Sequence, residues 1–405
     1  MAVGAVGDKP AGAGASAGQK EVAGRKVAFD YLRAFAVVLV LFHHAILAYT
    51  ISAFINLENP IATTSPIVNE LRWPGFDLIV AYNETYFMPL LFFISGMFVW
   101  QSLARKGARK YLGDRLTRLG LPFAVGVVFL VPLAYYPAQL QVGSMTGVDF
   151  GYGAFWLEMV RSGFGTGGPL WFLWLLLAFD GVAALLYRLA PLPGGLARRL
   201  PAIILGGSKA FFGVLLAISI AAYLPVAIVF GPLKWVGIGP FHAQLSRVLL
   251  YLVYFLGGEA VGAYGIDRSA FRSGGALARR WWGWMAAGLM AFIVFVIMVV
   301  VVTARDRTVV SELAFVTGCG ATVFGITGLF LRFAKRRVGI FDSLSENAYG
   351  IYIVHYVFVT WLQYLLLESP LVPVMKGMLV FSGTLILSWG TIVVIRRIPA
   401  VAKVI

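Results

Sequence analysis

The chain has few charged residues and almost no cysteine. Charged side chains make up 13% of its 405 residues, and its one cysteine is Cys319. A single cysteine excludes an internal disulfide, a zinc site built from several cysteines and a c-type haem attachment. Hydrophobic residues make up 60% of the chain and the mean hydropathy is +0.84, well above the usage of soluble domains. The composition therefore excludes a water-soluble fold.

Acidic residues are also scarce. The chain has 18 Asp and Glu against 33 Lys and Arg, which gives a net charge of +15. In a soluble protein this excess would indicate nucleic-acid binding, but here the basic residues occur in short clusters between long apolar runs. That pattern is typical of a polytopic membrane protein. We therefore expect membrane lipids, and no nucleic acid, among its partners.

Ten apolar runs are long enough to cross a bilayer, because about 20 apolar residues span the hydrocarbon core and a helix satisfies its own backbone groups. The sequence therefore predicts an all-α, polytopic integral membrane protein with about ten transmembrane helices in one membrane domain, residues 27–398. The predicted helices are residues 29–53, 78–102, 118–138, 169–190, 208–231, 243–265, 280–303, 310–333, 346–367 and 375–396.

Both ends of the chain are predicted to be cytoplasmic. Residues 1–26 are rich in Gly, Ala and Ser and are predicted to be a disordered tail, and residues 399–405 a second tail. With this orientation 25 Lys and Arg residues lie inside and seven outside, with Arg33 at the inner edge. Because short cytoplasmic loops carry the excess of Lys and Arg, this asymmetry favours cytoplasmic termini. We expect a multi-pass protein of the inner (plasma) membrane.

The first predicted helix carries Arg33 and His44. Ionisable groups at membrane depth are costly and indicate function by default. Because they are eleven positions apart, the two side chains lie on nearly the same helix face, about 16.5 Å apart along the axis. Asp30, one turn before Arg33, is expected to neutralise or orient its guanidinium. The alternative is that Arg33 only extends to the membrane surface and that His43 or His44 only bonds a neighbouring carbonyl. For His43 this alternative is favoured.

Three further polar residues are predicted to lie at the depth of His44, namely His355 in the ninth helix, Glu84 in the second and Asp180 in the fourth. Imidazoles beside a carboxylate are the ingredients of general-base catalysis. The same residues would serve a proton relay, so a proton-coupled secondary transporter is the alternative function. The four histidines have no spacing typical of a metal-binding pair, and no metal site is predicted.

The densest basic segment, residues 103–118, ends in Arg115 and Arg118. Arginines three residues apart share a helix face and can bind phosphate groups bidentately. The alternative is that this segment only sets the topology and contacts anionic lipids.

Several of these stretches together resemble acyltransferase family 3, the bacterial membrane acyltransferases that modify cell-envelope glycans and related acceptors. The first is Arg33, ten residues and His44, preceded by Phe29 and Asp30. The others are residues 87–96 (FMPLLFFISG), 115–118 (RLTR), 168–173 (GPLWFL) and 349–355 (YGIYIVH). They occur in family order between about residues 27 and 360, and the stand-alone branch that modifies glucans is the better match.

The resemblance implies transfer of an acyl group, commonly acetyl and sometimes succinyl, from cytosolic acyl-CoA to a hydroxyl of an acceptor at the other membrane face. The acceptor would be an envelope glycan or a lipid-linked molecule. The resemblance also implies that Arg33 and His44 are essential and that Arg115 and Arg118 contact the coenzyme phosphates. We add Arg33 to that set of contacts.

The predicted catalytic residues are His44, Arg33, Glu84 and His355. His44 would act as a general base or carry the acyl group itself, and the sequence leaves both open. Glu84 or Asp180 would orient its ring, and His355 or Tyr352 would donate a hydrogen bond to the developing oxyanion.

Overall fold

The computed structural model describes residues 13–57, 59–148, 150–189, 202–301 and 307–405. The start of the tail that is predicted to be disordered, residues 1–12, lies outside the described residues. The first helix begins at Ala13, within that predicted tail. Residues 13–26 contain several Ala, Lys, Glu and Gln, which are good helix formers, so helical backbone continues upstream of the apolar run.

Ten long helices, α1 to α10, form the bundle in the described part of the chain. They are α1 Ala13–Leu47, α2 Pro74–Gly96, α3 Ala108–Thr146, α4 Trp171–Leu189, α5 Ser208–Phe230, α6 Leu245–Tyr264, α7 Trp281–Val300, α8 Arg307–Phe333, α9 Gly339–Leu365 and α10 Pro373–Ile395. Two turns of α3, Leu116–Gly120 and Gly126–Leu130, are π-helical. Short helices cover Pro60–Ala62, Val99–Lys106, Tyr152–Arg161, Gly168–Leu170, Ala202–Gly206, Ala276–Arg279 and Pro399–Ala402.

Two segments that the sequence predicts as loops form secondary structure. The predicted loop 139–168 contains the end of α3 and the helix Tyr152–Arg161. Two antiparallel strands, β1 (Trp235–Ile238) and β2 (Phe241–Gln244), form between the fifth and sixth predicted helices, with Trp235 opposite Gln244. Gly239 lies in the turn with a φ of +55°, a conformation that glycine adopts without strain.

Nine helices of the described chain are long and apolar enough to cross a membrane. The remaining one, α9, has 27 residues but more polar side chains. It extends along α1, because the Val338 amide donates to the Tyr31 hydroxyl at 2.8 Å near one end and Gln363 Nε2 donates to the His44 carbonyl at 2.9 Å near the other. The prediction of an all-α, polytopic membrane protein is confirmed.

The two ends of the bundle differ in charge. We refer to the end that carries Arg33, Arg118 and Arg396 as the basic face, and to the end that carries β1 and β2 as the opposite face. Residues 402–405 lie beside Arg33 at the basic face. The described C-terminal residues and this part of α1 are therefore on the same side, as an even number of crossings requires.

Helices α2 and α6 pack backbone against backbone. A Cβ on Gly258 would lie 2.1 Å from the Phe93 carbonyl oxygen, and one on Gly262 would lie 2.0 Å from the Met97 carbonyl oxygen. Neither position has space for a side chain. Small residues at such contacts let membrane helices approach closely, and here they hold together two helices that both contribute to the site.

Candidate functional site

A cavity of about 470 Å³ opens at the basic face. Five cationic side chains line it, and no Asp or Glu is among the described residues of its wall. The cations are Arg33, Arg115, Arg118, Arg396 and Lys403. A cavity with this charge favours anions, and several arginines favour phosphate groups in particular.

Asp180 holds Arg115 in the wall of this basic cavity. Arg115 Nε lies 3.3 Å from Asp180 Oδ2, and the Tyr111 hydroxyl donates to Asp180 Oδ1. The prediction that Asp180 lies at the depth of His44 and orients its ring is wrong. Helix α4 begins near the opposite face at Trp171, and by residue 180 it has descended about 13.5 Å towards the basic face.

Arg118 lies in the π-helical turn Leu116–Gly120 of α3. The Tyr349 hydroxyl, from α9, donates to the Arg118 carbonyl. A π-helical turn shifts the hydrogen-bond pattern of the helix and is frequent at functional sites. The contact fixes the backbone that presents Arg118 to the basic cavity.

Arg33 forms no ion pair with an acidic residue of the described chain. Asp30, predicted to neutralise or orient it, pairs with Arg337 Nη2 at 3.6 Å and attracts Arg33 only over a longer distance. The Arg33 guanidinium carbon lies 5.8 Å from the centre of the Phe98 ring, within the range of a cation–π contact. The positive charge of Arg33 is therefore available to a ligand in the basic cavity.

A second cavity, of about 340 Å³, opens at the opposite face and reaches His44. Aromatic rings, hydroxyl groups and an amide line it, and the described residues of its wall include no Asp, Glu, Lys or Arg. The polar and aromatic members, besides His44, are Asn59, Thr63, Thr64, Tyr135, Thr166, Trp171, Trp235, His242 and Tyr356. Uncharged hydrogen-bonding groups beside aromatic rings suit a ligand that is rich in hydroxyl groups.

His44 lies among three other rings. Its ring centre is 5.3 Å from that of His43, 5.5 Å from that of His355 and 5.1 Å from that of Tyr356. The structure thus brings His44 and His355 together. The His355 Nδ1 atom lies 2.6 Å from the Tyr352 carbonyl oxygen. Within the described residues, no group of three or more His, Cys, Asp or Glu side chains could hold a metal ion.

Glu84 pairs with an arginine that sequence reasoning missed. Arg247 Nη2 donates to Glu84 Oε2 at 3.3 Å, and the guanidinium carbon lies 5.1 Å from the centre of the Phe315 ring. No hydrogen bond joins Glu84 to His44 among the described residues. Arg247 is only 7% exposed, although its place near the end of a predicted helix makes it look like a surface charge. The sequence did contain one sign that Arg247 is buried, because this arginine lies inside an apolar run.

Glu84 and Arg247 line a small chamber of about 90 Å³ together with His43 and His44. This chamber adjoins the opposite cavity, since His44 belongs to the walls of both. Tyr352 also lines the chamber. The chamber therefore brings together polar residues of α1, α2 and α6.

Tyr352 and Pro169 form a partition between the two cavities. Tyr352 lines the basic cavity and the chamber, whereas Pro169 lines the chamber and the opposite cavity. The Tyr352 hydroxyl donates to the Pro169 carbonyl. Because this hydrogen bond uses its only hydrogen, Tyr352 cannot donate to an oxyanion in this conformation, contrary to one of the predicted roles.

One face of α1 extends along both cavities. Arg33 and Val37 line the basic cavity, Val40 lines the chamber, and His44 lines the chamber and the opposite cavity. Steps of four, three and four residues follow a single stripe of an α-helix. The ten residues between Arg33 and His44 therefore carry this face from one cavity, past the partition, to the other.

Two cavities therefore extend into the bundle from opposite ends, and His44 lies in the wall of the opposite cavity. A family model described as an acyltransferase domain, that of acyltransferase family 3, matches residues 26–393. The chain belongs to this family and is a membrane acyltransferase. No curated protein and no solved structure matches the chain.

Proposed function

We propose that the protein transfers a short acyl group, acetyl first among them, from acyl-CoA to a hydroxyl group of a cell-envelope glycan or a similar acceptor. One observation carries the proposal. A cavity lined by cations and an uncharged, aromatic cavity lie along the same face of α1, on the two sides of the partition beside His44.

The basic cavity suits the nucleotide end of coenzyme A, whose phosphates would bind Arg33, Arg115 and Arg118. Acyl-CoA is a cytosolic donor, and the excess of Lys and Arg favours a cytoplasmic basic face in the inner membrane. The pantetheine arm would extend past Val37 towards the chamber. Tyr352 would move aside to admit the thioester.

The opposite cavity would bind the acceptor. Its tryptophan and tyrosine rings would stack on sugar rings, and its threonine and asparagine side chains would bond hydroxyl groups. An acceptor in this cavity would meet His44, which lines its wall. The two substrates would therefore meet different groups: cations in the basic cavity, and aromatic rings with uncharged hydrogen-bonding groups in the opposite cavity.

In the proposed reaction the acceptor oxygen attacks the thioester carbonyl carbon while His44 takes the hydroxyl proton. The C–S bond then breaks, and the proton passes to the coenzyme thiolate that leaves. In the alternative, His44 attacks the thioester carbonyl carbon first, the C–S bond breaks as the coenzyme thiolate leaves, and the acceptor oxygen then takes the acyl group from the ring while its proton passes to the thiolate. Arg247, the cation among the described residues of the chamber wall, would stabilise the negative charge that develops on the carbonyl oxygen.

The His44→Ala variant tests the proposal. With acetyl-CoA and a mixture of glucan oligosaccharides in lipid discs, we expect wild type and variant to bind acetyl-CoA equally and only wild type to release coenzyme A. Acetylated glucan should likewise form with the wild type and not with the variant. Wild-type turnover by the variant would contradict the role of His44, and absence of acetyl-CoA binding by both proteins would contradict the proposed donor.

Isotope exchange separates the two mechanisms. If His44 carries the acyl group, the wild-type protein should exchange labelled coenzyme A into acetyl-CoA without any acceptor. If His44 is a base, exchange should require the acceptor. The measurement uses the same discs and the same His44→Ala control.

A further inference from the structure

Among the buried histidine nitrogens that lack hydrogen-bond partners within the described residues, His43 Nδ1 included, two lie on neighbouring rings of different helices, α1 and α9. They are His44 Nδ1 and His355 Nε2, and the ring centres are 5.5 Å apart with 34° between the ring planes. A buried polar atom without a partner costs about 1–3 kcal/mol, and nearly all such atoms in proteins are paired. Two unpaired nitrogens on adjacent rings therefore indicate a hydrogen bond that a rotation of the His44 ring would complete.

The backbone of α9 decides which of these rings donates. His355 Nδ1 lies 2.6 Å from the Tyr352 carbonyl oxygen. A carbonyl oxygen only accepts hydrogen bonds, so His355 carries its proton on Nδ1. In a neutral imidazole the other nitrogen then has a lone pair and accepts. His355 Nε2 is therefore an acceptor, and a bond to it requires a proton on His44 Nδ1.

We infer that His355 is the positioning residue of His44. His44 Nδ1–H donates to His355 Nε2, which leaves the lone pair of His44 on Nε2. The role in acyl transfer rests on the proposed function, and it serves both mechanisms because a base and a nucleophile each need that lone pair. Neutral His355 has its only ring N–H on Nδ1, where it bonds the Tyr352 carbonyl. It therefore cannot donate a hydrogen bond to the oxyanion, a role that the sequence predicted for it.

A neutral imidazole takes the place that a carboxylate was predicted to fill. Glu84 binds Arg247, and Asp180 binds Arg115. His355 is fully buried, and its ring centre lies 5.7 Å from that of Tyr352 and 6.0 Å from that of Tyr356. In these apolar surroundings a neutral partner orients His44 without the cost of an additional buried negative charge.

A matched pair of variants tests the inference. The amide of His355→Asn reaches the position of Nδ1 and can still donate to the Tyr352 carbonyl, but it offers no acceptor to His44. The amide oxygen of His355→Gln reaches the position of Nε2 and can accept. We expect His355→Asn to lower kcat about a hundredfold with an unchanged KM for acetyl-CoA, and His355→Gln to retain most of the activity.

A merely structural role would give the reverse order. If His355 serves only to bond the Tyr352 carbonyl, His355→Asn should be the active variant and His355→Gln the inactive one. That order would overturn the inference.

Nitrogen NMR of ¹⁵N-histidine-labelled protein in lipid discs tests the same point without any substrate. With His44→Gln used for assignment, we expect the proton of His44 on Nδ1, and a proton on Nε2 would overturn the inference. Because the spectrum needs no turnover, this result holds whether or not acetyl-CoA proves to be the donor. Absence of turnover in wild type would instead contradict the proposed function.

Discussion

At the scale of single residues, the two carboxylates predicted to orient a histidine bind arginines. Asp180 contacts Arg115, and Glu84 contacts Arg247. A carboxylate inside a membrane protein is costly when unpaired, and an arginine compensates its charge more fully than a neutral imidazole does. Neither carboxylate is therefore available to orient His44.

The contact between Asp180 and Arg115 gives a prediction about donor binding. We expect Asp180→Asn to weaken acetyl-CoA binding about tenfold, which corresponds to about 1.4 kcal/mol, because Arg115 loses the partner that directs it into the basic cavity. Titration of acetyl-CoA into purified protein in lipid discs measures the change. Asp114→Asn is the control, since Asp114 pairs with Lys106 and its side chain is 41% exposed. Equal affinities in the two variants would contradict this role of Asp180.

At the scale of secondary-structure elements, the contact between α2 and α6 depends on glycine. We expect Gly258→Ala to lower the free energy of unfolding by about 1–3 kcal/mol, because the added methyl group would collide with the Phe93 carbonyl and force the helices apart. Thermal unfolding in detergent measures the effect. Gly213→Ala is the control, because a Cβ at Gly213 in α5 meets no atom within 4 Å. Similar unfolding temperatures of both variants would contradict the packing argument.

The helices themselves were predictable, because long apolar runs have few alternatives in a bilayer. The common face of Arg33 and His44 was predictable too, since it depends only on the helical repeat of one segment. The partners of Asp180 and Glu84 were not, because they depend on how far neighbouring helices are displaced along their axes. Arg247 was missed for a related reason, since a position near a helix end does not tell whether the side chain turns inward.

At the scale of the whole molecule, the two cavities open at opposite ends of the bundle. Because Cys319 is fully buried, it should not react with a membrane-impermeant maleimide. We expect Thr64→Cys, in the opposite cavity, to be labelled from outside in intact cells, and Ser95→Cys, in the basic cavity, to be labelled only in inverted vesicles. Thr322→Cys, at a fully buried position, is the unlabelled control. Labelling of both cavity positions from one side would contradict this topology.

The partition between Tyr352 and Pro169 also has an electrical consequence. Solvent in the two cavities conducts, whereas packed protein insulates, so the membrane voltage falls mainly over the short distance that this contact occupies. Moving one elementary charge through the full voltage changes its energy by about 2.3 kcal/mol per 100 mV. A charge that passes this single contact therefore crosses most of the electric field of the membrane, although it moves through only a fraction of the bilayer thickness.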